Sequence, residues 1–251
     1  MAGEKWTRQE SILALALYCK IPFGKIHKNN ELVMAAAQLL NRTPSAVSMK
    51  MGNFGRFDEE LQARGVHGLK NGSHLDEEIW NEFHQDMDRL FTEAQKVAGA
   101  SQLILPEEQI TLPVGQDRET ISRSRCGQDF FRSAVLSAYD NACCITGLNV
   151  PTLLQASHIK SWQESDPITE RTNPKNGLCL NALHHKAFDD GLITIDTDYR
   201  ICISREAKEH YSNEAFNLYF RKYDGCKIVL PCRFVPSKEF IIFHNDKLST
   251  F

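Results

Sequence analysis

The stretch from Cys143 to Gly191 reads CCITGLNVPTLLQASHIKSWQESDPITERTNPKNGLCLNALHHKAFDDG and contains the most informative residues of the chain. An apolar run, LLQASHI, ends at His158 and is followed by a loop and the pair Asn176-Gly177. A short apolar segment, LCLN, then leads into ALHHKAFDD, which reads as a helix. This order predicts a hairpin of two strands followed directly by a helix.

The polar residues of this stretch suit the hydrolysis of a phosphodiester. That reaction needs a base to activate water, a cation to neutralise the developing charge, and stabilisation of the leaving oxygen. His158 suits the base because an imidazole is partly unprotonated near neutral pH. Asn176 is placed to hold that imidazole through a hydrogen bond across the hairpin. His185 and Asp189 stand four residues apart on one helix face, and their nitrogen and carboxylate oxygen suit Mg²⁺ or Mn²⁺.

The motifs CITG, ASHI, NPKNGLCL and AFDDGL, together with His158, Asn176 and His185, resemble the HNH endonuclease family, in its branch of McrA-like restriction nucleases. The resemblance covers about residues 119–251. It implies the ββα-metal fold, in which a hairpin and a helix surround one divalent cation. It also implies that His158 is the general base, Asn176 the orienting asparagine and His185 a metal ligand. Asp189 matches the position that often completes the metal site.

Two positions matter for how the metal would be held. Many family members carry Asp or His immediately before the base, where this chain has Ser157. The cation is therefore expected to be held by fewer protein groups, or partly by the DNA phosphate. His184 and His185 are adjacent, and adjacent residues on a helix point about 100° apart. One of the two is therefore expected to face the metal. The spacing from Asn176 favours His185, and His184 remains the alternative ligand.

The first 57 residues predict three helices. A capping box at Thr7 and Glu10 opens the first, the second spans roughly residues 30–40, and Thr43-Pro44 opens the third. WTRQE, LALYC and LLNRTPSAVSMKM resemble the Myb/SANT-like and helix-turn-helix class, whose third helix enters the major groove. The resemblance makes five residues candidates to face DNA: Ser45, Ser48, Met49, Lys50 and Asn53. The first 57 residues contain eight basic and three acidic residues, a local positive charge that favours contact with DNA. The alternative is that these helices form a protein-interaction unit.

The expected fold class is α+β, with a helical DNA-binding-like unit before the nuclease domain. The predicted segments are a helix-turn-helix-like unit (1–70), an acidic helix and linker (71–118) and the HNH domain (119–251). Near the motif, Lys160 is a candidate to touch phosphate, with a solvated surface role as the alternative. Arg171 is a candidate to contact DNA or to brace the loop. The remaining histidines, His244 among them, show no partner pattern and are interpreted as structural.

Composition limits the other possibilities. The formal net charge of −3 gives no global attraction to nucleic acid, so any such argument must be local. No apolar run reaches the roughly 18 residues of a membrane span, and the first residues lack the layout of a signal peptide, which predicts a cytoplasmic protein. The eight cysteines are then expected to be reduced, and a structural Zn²⁺ is not expected.

The protein is expected to be a metal-dependent DNA endonuclease of restriction type. Whether it prefers modified DNA is left open. Duplex DNA is the expected partner. One metal site per chain favours a homodimer, because cutting both strands then needs two chains. Two alternatives stay open: a DNA-binding regulator with an inactive nuclease domain, and an RNase or toxin-type effector.

Overall fold

The computed structural model describes residues 5–66, 73–99 and 118–248, with side chains from residue 127 onward in the last range. The predicted linker residues 100–117 lie outside this part of the chain. The described residues form an α+β fold, as expected. Its helices are α1 (Arg8–Lys20), α2 (Glu31–Leu39), α3 (Pro44–Phe54), α4 (Glu59–Ala63), α5 (His74–Phe83), α6 (Met87–Ala98), α7 (Arg118–Ala138), α8 (Ala182–Asp189), α9 (Arg205–His210), α10 (Glu214–Tyr219) and α11 (Lys238–Lys247). Its strands are β1 (Leu154–His158), β2 (Gly177–Asn181), β3 (Ile193–Ile195) and β4 (Ile201–Ile203).

The first three helices begin where their capping residues predict. The Thr7 hydroxyl accepts from the Glu10 amide at 3.3 Å while the Glu10 carboxylate accepts from the Thr7 amide at 2.7 Å, which completes the capping box. Asn30 caps α2, and Thr43 caps α3 with a proline in its first turn. The predicted three-helix unit is therefore present.

The acidic stretch after residue 73 forms two helices where the sequence suggested one. At the end of α5, the His84 amide donates a hydrogen bond to the Trp80 carbonyl. At the start of α6, the Asp86 carboxylate accepts a hydrogen bond from the Arg89 amide at 3.0 Å. Aspartate at this position favours a new helix start over continuation. Most apolar residues of both helices are buried in the core, while Leu75, Trp80 and Val97 are partly buried.

Helix α1 lies at the centre of the core. Residues 11–19 are buried without interruption, as expected for a helix that is apolar on all sides. It packs against α3 and α5 and also against α6 and α7, so the N-terminal helices share a core with the C-terminal half. None of the helices in the described ranges has the length and apolarity that a membrane crossing requires.

A buried arginine from near the C-terminus closes the end of α1. The Arg233 guanidinium is fully buried and donates to the carbonyls of Tyr18, Cys19 and Ile21 at 2.5, 3.2 and 2.6 Å, and to the Ser137 hydroxyl at 2.9 Å. The Tyr18 and Cys19 carbonyls belong to the last turn of α1 and Ile21 directly follows it, and this end of a helix favours a positive charge. Distant parts of the sequence thus meet at one side chain.

The predicted hairpin and helix form as expected. Strands β1 and β2 pair antiparallel, with Leu154 opposite Asn181 and His158 opposite Gly177. Asn181 caps α8, so the helix begins directly after β2. Helix α7 packs on both strands so closely that a Cβ on Gly177 would lie 2.4 Å from Val135 Cγ2. The hairpin β3–β4 and helix α11 complete this half of the fold. The division into segments 1–70, 71–118 and 119–251 stays a prediction.

Candidate active site

An open cleft of about 450 Å³ lies where β1 ends beside α8. Three of the residues predicted from the motif line it, and they come from two elements: His158 from β1, and His185 and Asp189 from α8. The loop after β1 adds Trp162, and α11 adds His244. The ββα arrangement therefore brings the predicted base and both predicted metal ligands to one concave surface.

The His158 ring is fixed in orientation and in tautomer. It stacks on Phe131, with ring centroids 3.8 Å apart, and meets the edge of Trp162. Its Nε2 lies 2.8 Å from the Arg171 carbonyl. Because a carbonyl only accepts, Nε2 carries the proton and Nδ1 keeps the lone pair. Burial lowers the pKa of His158, while the Arg171 carbonyl and the charge of Asp189 act in the opposite direction. The ring is therefore a neutral base near pH 7.

Ser157 connects the two predicted metal ligands. Its hydroxyl donates to Asp189 Oδ1 at 3.3 Å and lies 3.0 Å from Nδ1 of His185. Since the hydroxyl proton goes to the carboxylate, Nδ1 is the donor toward Ser157 and Nε2 of His185 holds the lone pair. That nitrogen lies 3.4 Å from Asp189 Oδ2, a spacing that two ligands of one cation can adopt. The pair fits a small divalent ion that completes its shell with water.

Residues 143–196 match the family model described as HNH endonuclease. This segment is an HNH endonuclease domain. The match includes His158, Asn176, His184, His185 and Asp189, which are all the catalytic and metal-binding residues expected from the sequence. Among solved structures, the modification dependent TagI restriction endonuclease aligns with 48% of this chain at 21% identity and a TM-score of 0.31. The alignment spans 38% of the TagI chain. Comparison with curated proteins gave no match.

Asn176 of the HNH domain braces a loop, whereas the sequence predicted a bond to the imidazole. Its side chain is fully buried. Oδ1 accepts from the Lys160 amide at 2.8 Å, and Nδ2 donates to the Lys160 carbonyl at 3.0 Å and to the Ser165 hydroxyl at 3.1 Å. The loop closed in this way carries Arg171, whose carbonyl holds the base. Asn176 is thus a positioning residue that acts on His158 through the loop.

The surroundings of His184 argue against the prediction that it is the alternative metal ligand. The residue is buried, with Nδ1 at 3.1 Å from Asn181 Oδ1 and Nε2 at 2.8 Å from the Tyr219 carbonyl. Its ring packs edge-on against Phe220 and Tyr223. Both nitrogens already have partners on this side of α8, so His185 is the residue that lines the cleft.

The predicted DNA-facing residues of α3 do not all lie on one surface. Ser45 is exposed, while Asn53 and Ser48 are half-buried and the Ser48 hydroxyl bonds the Ile26 carbonyl at 3.4 Å. Met49 is 59% exposed. The prediction that Lys50 faces DNA is wrong, because its ammonium is buried in an ion pair with Asp76 of α5.

The burial of Lys50 follows from its place in α3. The buried residues of this helix are Val47, Lys50, Met51 and Phe54, and their spacing of three and four residues marks the inner face. Lys50 therefore belongs to the core side of the helix, and the aliphatic part of its side chain can pack there. Ser45, Ser48, Met49 and Asn53 remain candidates.

The two basic candidates beside the motif are tied to the loop that follows β1. The Lys160 ammonium lies 2.5 Å from Glu170 Oε2 and above the Phe243 ring. Arg171 Nε donates to the Ser165 carbonyl at 3.2 Å, and its guanidinium lies over the Trp162 ring. The loop-bracing alternative is thus visible for Arg171, while Lys160 is paired with Glu170 rather than fully solvated. Both stay candidates for DNA contact.

Three functional-site residues were not predicted from the sequence. Ser157 was considered only as a poor metal ligand, and its role as a hydrogen-bond bridge depends on how β1 faces α8. Trp162 lies in a loop without a motif. His244 stands 55 residues after Asp189 on α11, and only tertiary packing brings it to the cleft.

Proposed function

We propose that this chain is a metal-dependent DNA endonuclease of restriction type that hydrolyses phosphodiester bonds. The observation that carries the proposal is the cleft that a neutral His158, with its lone pair on Nδ1, lines together with the pair His185 and Asp189. The HNH family match supports the nuclease class.

His158 acts as the general base. Its Nδ1 takes a proton from a water molecule, and the oxygen of that water attacks the phosphorus while the bond from phosphorus to the leaving oxygen breaks. The leaving oxygen takes up a proton from solvent water. The Arg171 carbonyl stabilises the ring when protonation of Nδ1 makes it positively charged, because the N–H at Nε2 keeps donating to that carbonyl. The stack on Phe131 keeps the ring plane fixed during the transfer.

His185 and Asp189 would hold the cation. One nitrogen and one hard carboxylate oxygen suit Mg²⁺ or Mn²⁺, and Ser157 keeps the His185 lone pair turned toward the carboxylate. When bound, such a cation supplies positive charge for the phosphate and the leaving oxygen. Asp189 also keeps a negative charge near His158, which favours proton uptake by the base.

Duplex DNA is the proposed substrate and partner. The exposed side of α3, with Ser45 and Met49, is free to enter a groove. Among the basic residues before residue 57, Lys5, Lys25 and Lys28 are exposed and would attract phosphates to this part of the molecule. Cleavage of both strands requires two such sites, which supports a homodimer on the DNA.

The test is cleavage of one plasmid by the wild-type protein and by His158→Ala, with Mg²⁺ or Mn²⁺ and with EDTA. The plasmid is prepared unmethylated and with methylated or hydroxymethylated cytosine, and a structured RNA is offered in competition. We expect metal-dependent cutting of DNA by the wild type and a loss of about 10²–10⁴-fold in His158→Ala. The matched control is His84→Ala, since His84 also stacks on an aromatic ring but lies away from this cleft.

Each contrary outcome has a definite meaning. Equal activity in wild type and His158→Ala would show that the assigned base is wrong. Cutting of RNA alone would favour the RNase alternative. DNA binding without cleavage under all metal conditions would favour a regulator with an inactive nuclease domain.

A further inference from the structure

A second imidazole lines the cleft from outside the HNH segment. His244 lies on α11, beyond the residues that match the family, and its ring stacks on Phe188 with centroids 4.3 Å apart and planes at 4°. Phe188 precedes Asp189 on α8. The stack therefore fixes the His244 ring beside the helix that carries both metal ligands.

The hydrogen bonding of His244 is incomplete. Its Nε2 is shielded from solvent and has no partner among the described residues. Buried polar atoms almost always have a partner, so an orphaned one calls for a missing water or ion. Burial lowers the pKa of His244, while the Ile159 backbone and the Asp189 charge act in the opposite direction. A neutral imidazole of this kind has one nitrogen that accepts a hydrogen bond.

The metal site would supply a suitable donor. His185 and Asp189 give a cation only two protein ligands, and Mg²⁺ typically keeps several waters. A water bound to a cation has its oxygen engaged and offers only its protons. No cluster of three or more ligating side chains occurs in the described ranges, so His244 is not placed as a direct ligand. It is instead near enough to Asp189 for the carboxylate charge to affect it.

We propose that His244 binds the hydration shell of the cation, its imidazole accepting a hydrogen bond from a metal-bound water in the cleft. This inference rests on the metal site described under the proposed function. It assigns a role in metal binding to α11, and it explains how a site with serine at position 157 would hold its cation with two direct ligands.

The experiment measures Mn²⁺ affinity by isothermal titration calorimetry on the full chain without DNA. His244→Phe keeps a flat ring on Phe188 and removes both nitrogens, and we expect its affinity to fall about 10-fold or more. His84→Phe is the matched control and is expected to bind Mn²⁺ like the wild type, because His84 stacks on Trp80 away from the cleft. His185→Ala is expected to lose most of the binding.

The variants separate the two proposals. If His185→Ala loses Mn²⁺ and His244→Phe does not, the role of His244 is refuted and the metal site stands. If His185→Ala binds like the wild type, or the wild type does not bind, both proposals fail at this site. Should His244→Phe not fold, ¹⁵N NMR of the wild-type histidine rings during Mg²⁺ titration decides. A shift of the His244 nitrogens supports the inference, and unchanged signals at saturation overturn it.

Discussion

The side-chain amide of Asn176 makes two hydrogen bonds to the backbone of Lys160, one to the N–H at 2.8 Å and one to the carbonyl at 3.0 Å. The two residues are 16 positions apart, and the Ile159 amide adds a bond to the Asn176 carbonyl at 3.0 Å. The intervening loop is thereby closed at its base. Because Arg171 lies in this loop and holds the base, the geometry of the loop sets the geometry of His158.

Asn176→Ala is expected to loosen this loop. The backbone of Lys160 would lose both partners in a buried place, so we expect the free energy of unfolding to fall by about 2–3 kcal/mol. Cleavage should fall strongly while Mn²⁺ affinity is retained, since the ligands lie on α8. Urea denaturation, cleavage rates and calorimetry check the three expectations. Asn30→Ala is the control: it removes the cap of α2, worth about 1 kcal/mol, and lies outside this loop. Wild-type cleavage by Asn176→Ala would contradict the positioning role.

The pH dependence of cleavage should report the buried base. Burial favours the neutral form of His158 and lowers its pKa below the ordinary value of about 6.5. The base is active when unprotonated, so the rate is expected to be level around pH 7 and to decline only on the acid side of about 6.5. Single-turnover rates at saturating Mn²⁺ measure this. An acid limb centred at or above pH 7 would show that another group is titrating.

Gly177→Ala tests the packing beneath the base. A Cβ there would lie 2.4 Å from Val135 Cγ2 and 2.9 Å from Phe131 Cζ. Because Phe131 also stacks on His158, we expect a loss of about 1–3 kcal/mol in stability together with slower cleavage. Thermal unfolding and cleavage assays measure the two effects. Gly24→Ala is the control, since its Cβ would meet no atom within 4 Å. A fully active Gly177→Ala protein would show that the ring stack is not needed.

Ser157→Ala should weaken the metal site although both proposed ligands, His185 and Asp189, are kept. The His185 ring loses the partner that fixes its tautomer, and Asp189 loses a donor. A loss of this kind typically lowers metal affinity by about 10–100-fold. Calorimetry with Mn²⁺ measures it, with Ser165→Ala as the buried-serine control from the loop. Equal Mn²⁺ affinity in the two variants would argue against the bridge.

Lys50→Met should reduce stability and leave DNA binding unchanged. Removing the buried ammonium leaves Asp76 without its ion-pair partner, and one-sided loss of a buried pair is worth about 3–5 kcal/mol. The double variant Lys50→Met with Asp76→Leu is expected to regain much of that loss. By contrast, Ser45→Glu should weaken duplex binding, because Ser45 is exposed on α3. Denaturation and fluorescence anisotropy distinguish these outcomes, and weaker DNA binding by a folded Lys50→Met protein would restore Lys50 to the interface.

The sequence predicted the β1–β2 hairpin and helix α8 well because their signals are local. His158, His185 and Asp189 lie within one stretch whose strand and helix boundaries are marked by apolar runs and capping residues, so their meeting in the cleft follows from the ββα fold. The choice between His184 and His185 needed the structure. It depends on Tyr219, which lies 35 residues after His184 in the sequence and whose carbonyl is the hydrogen-bond partner of His184 Nε2.

The remaining features arise from long-range packing that no local pattern indicates. His244 reaches the cleft because α11 packs back onto α8, and Phe131 reaches His158 because α7 covers the hairpin. The inward direction of Lys50 was visible in the spacing of its apolar neighbours, but its partner Asp76 was not. A charged residue on an apolar face is easily assigned to the surface when its partner is unknown.

The contact between Arg233 and the end of α1 also has a consequence for biosynthesis. The carbonyls of Tyr18 and Ile21 emerge from the ribosome long before the guanidinium that binds them. Domains usually fold in order as the chain is made, but here the first helix obtains its final partner only when residue 233 has been translated. The N-terminal helices therefore complete their fold only after residue 233 has been made, together with the segment that carries His158 and His185.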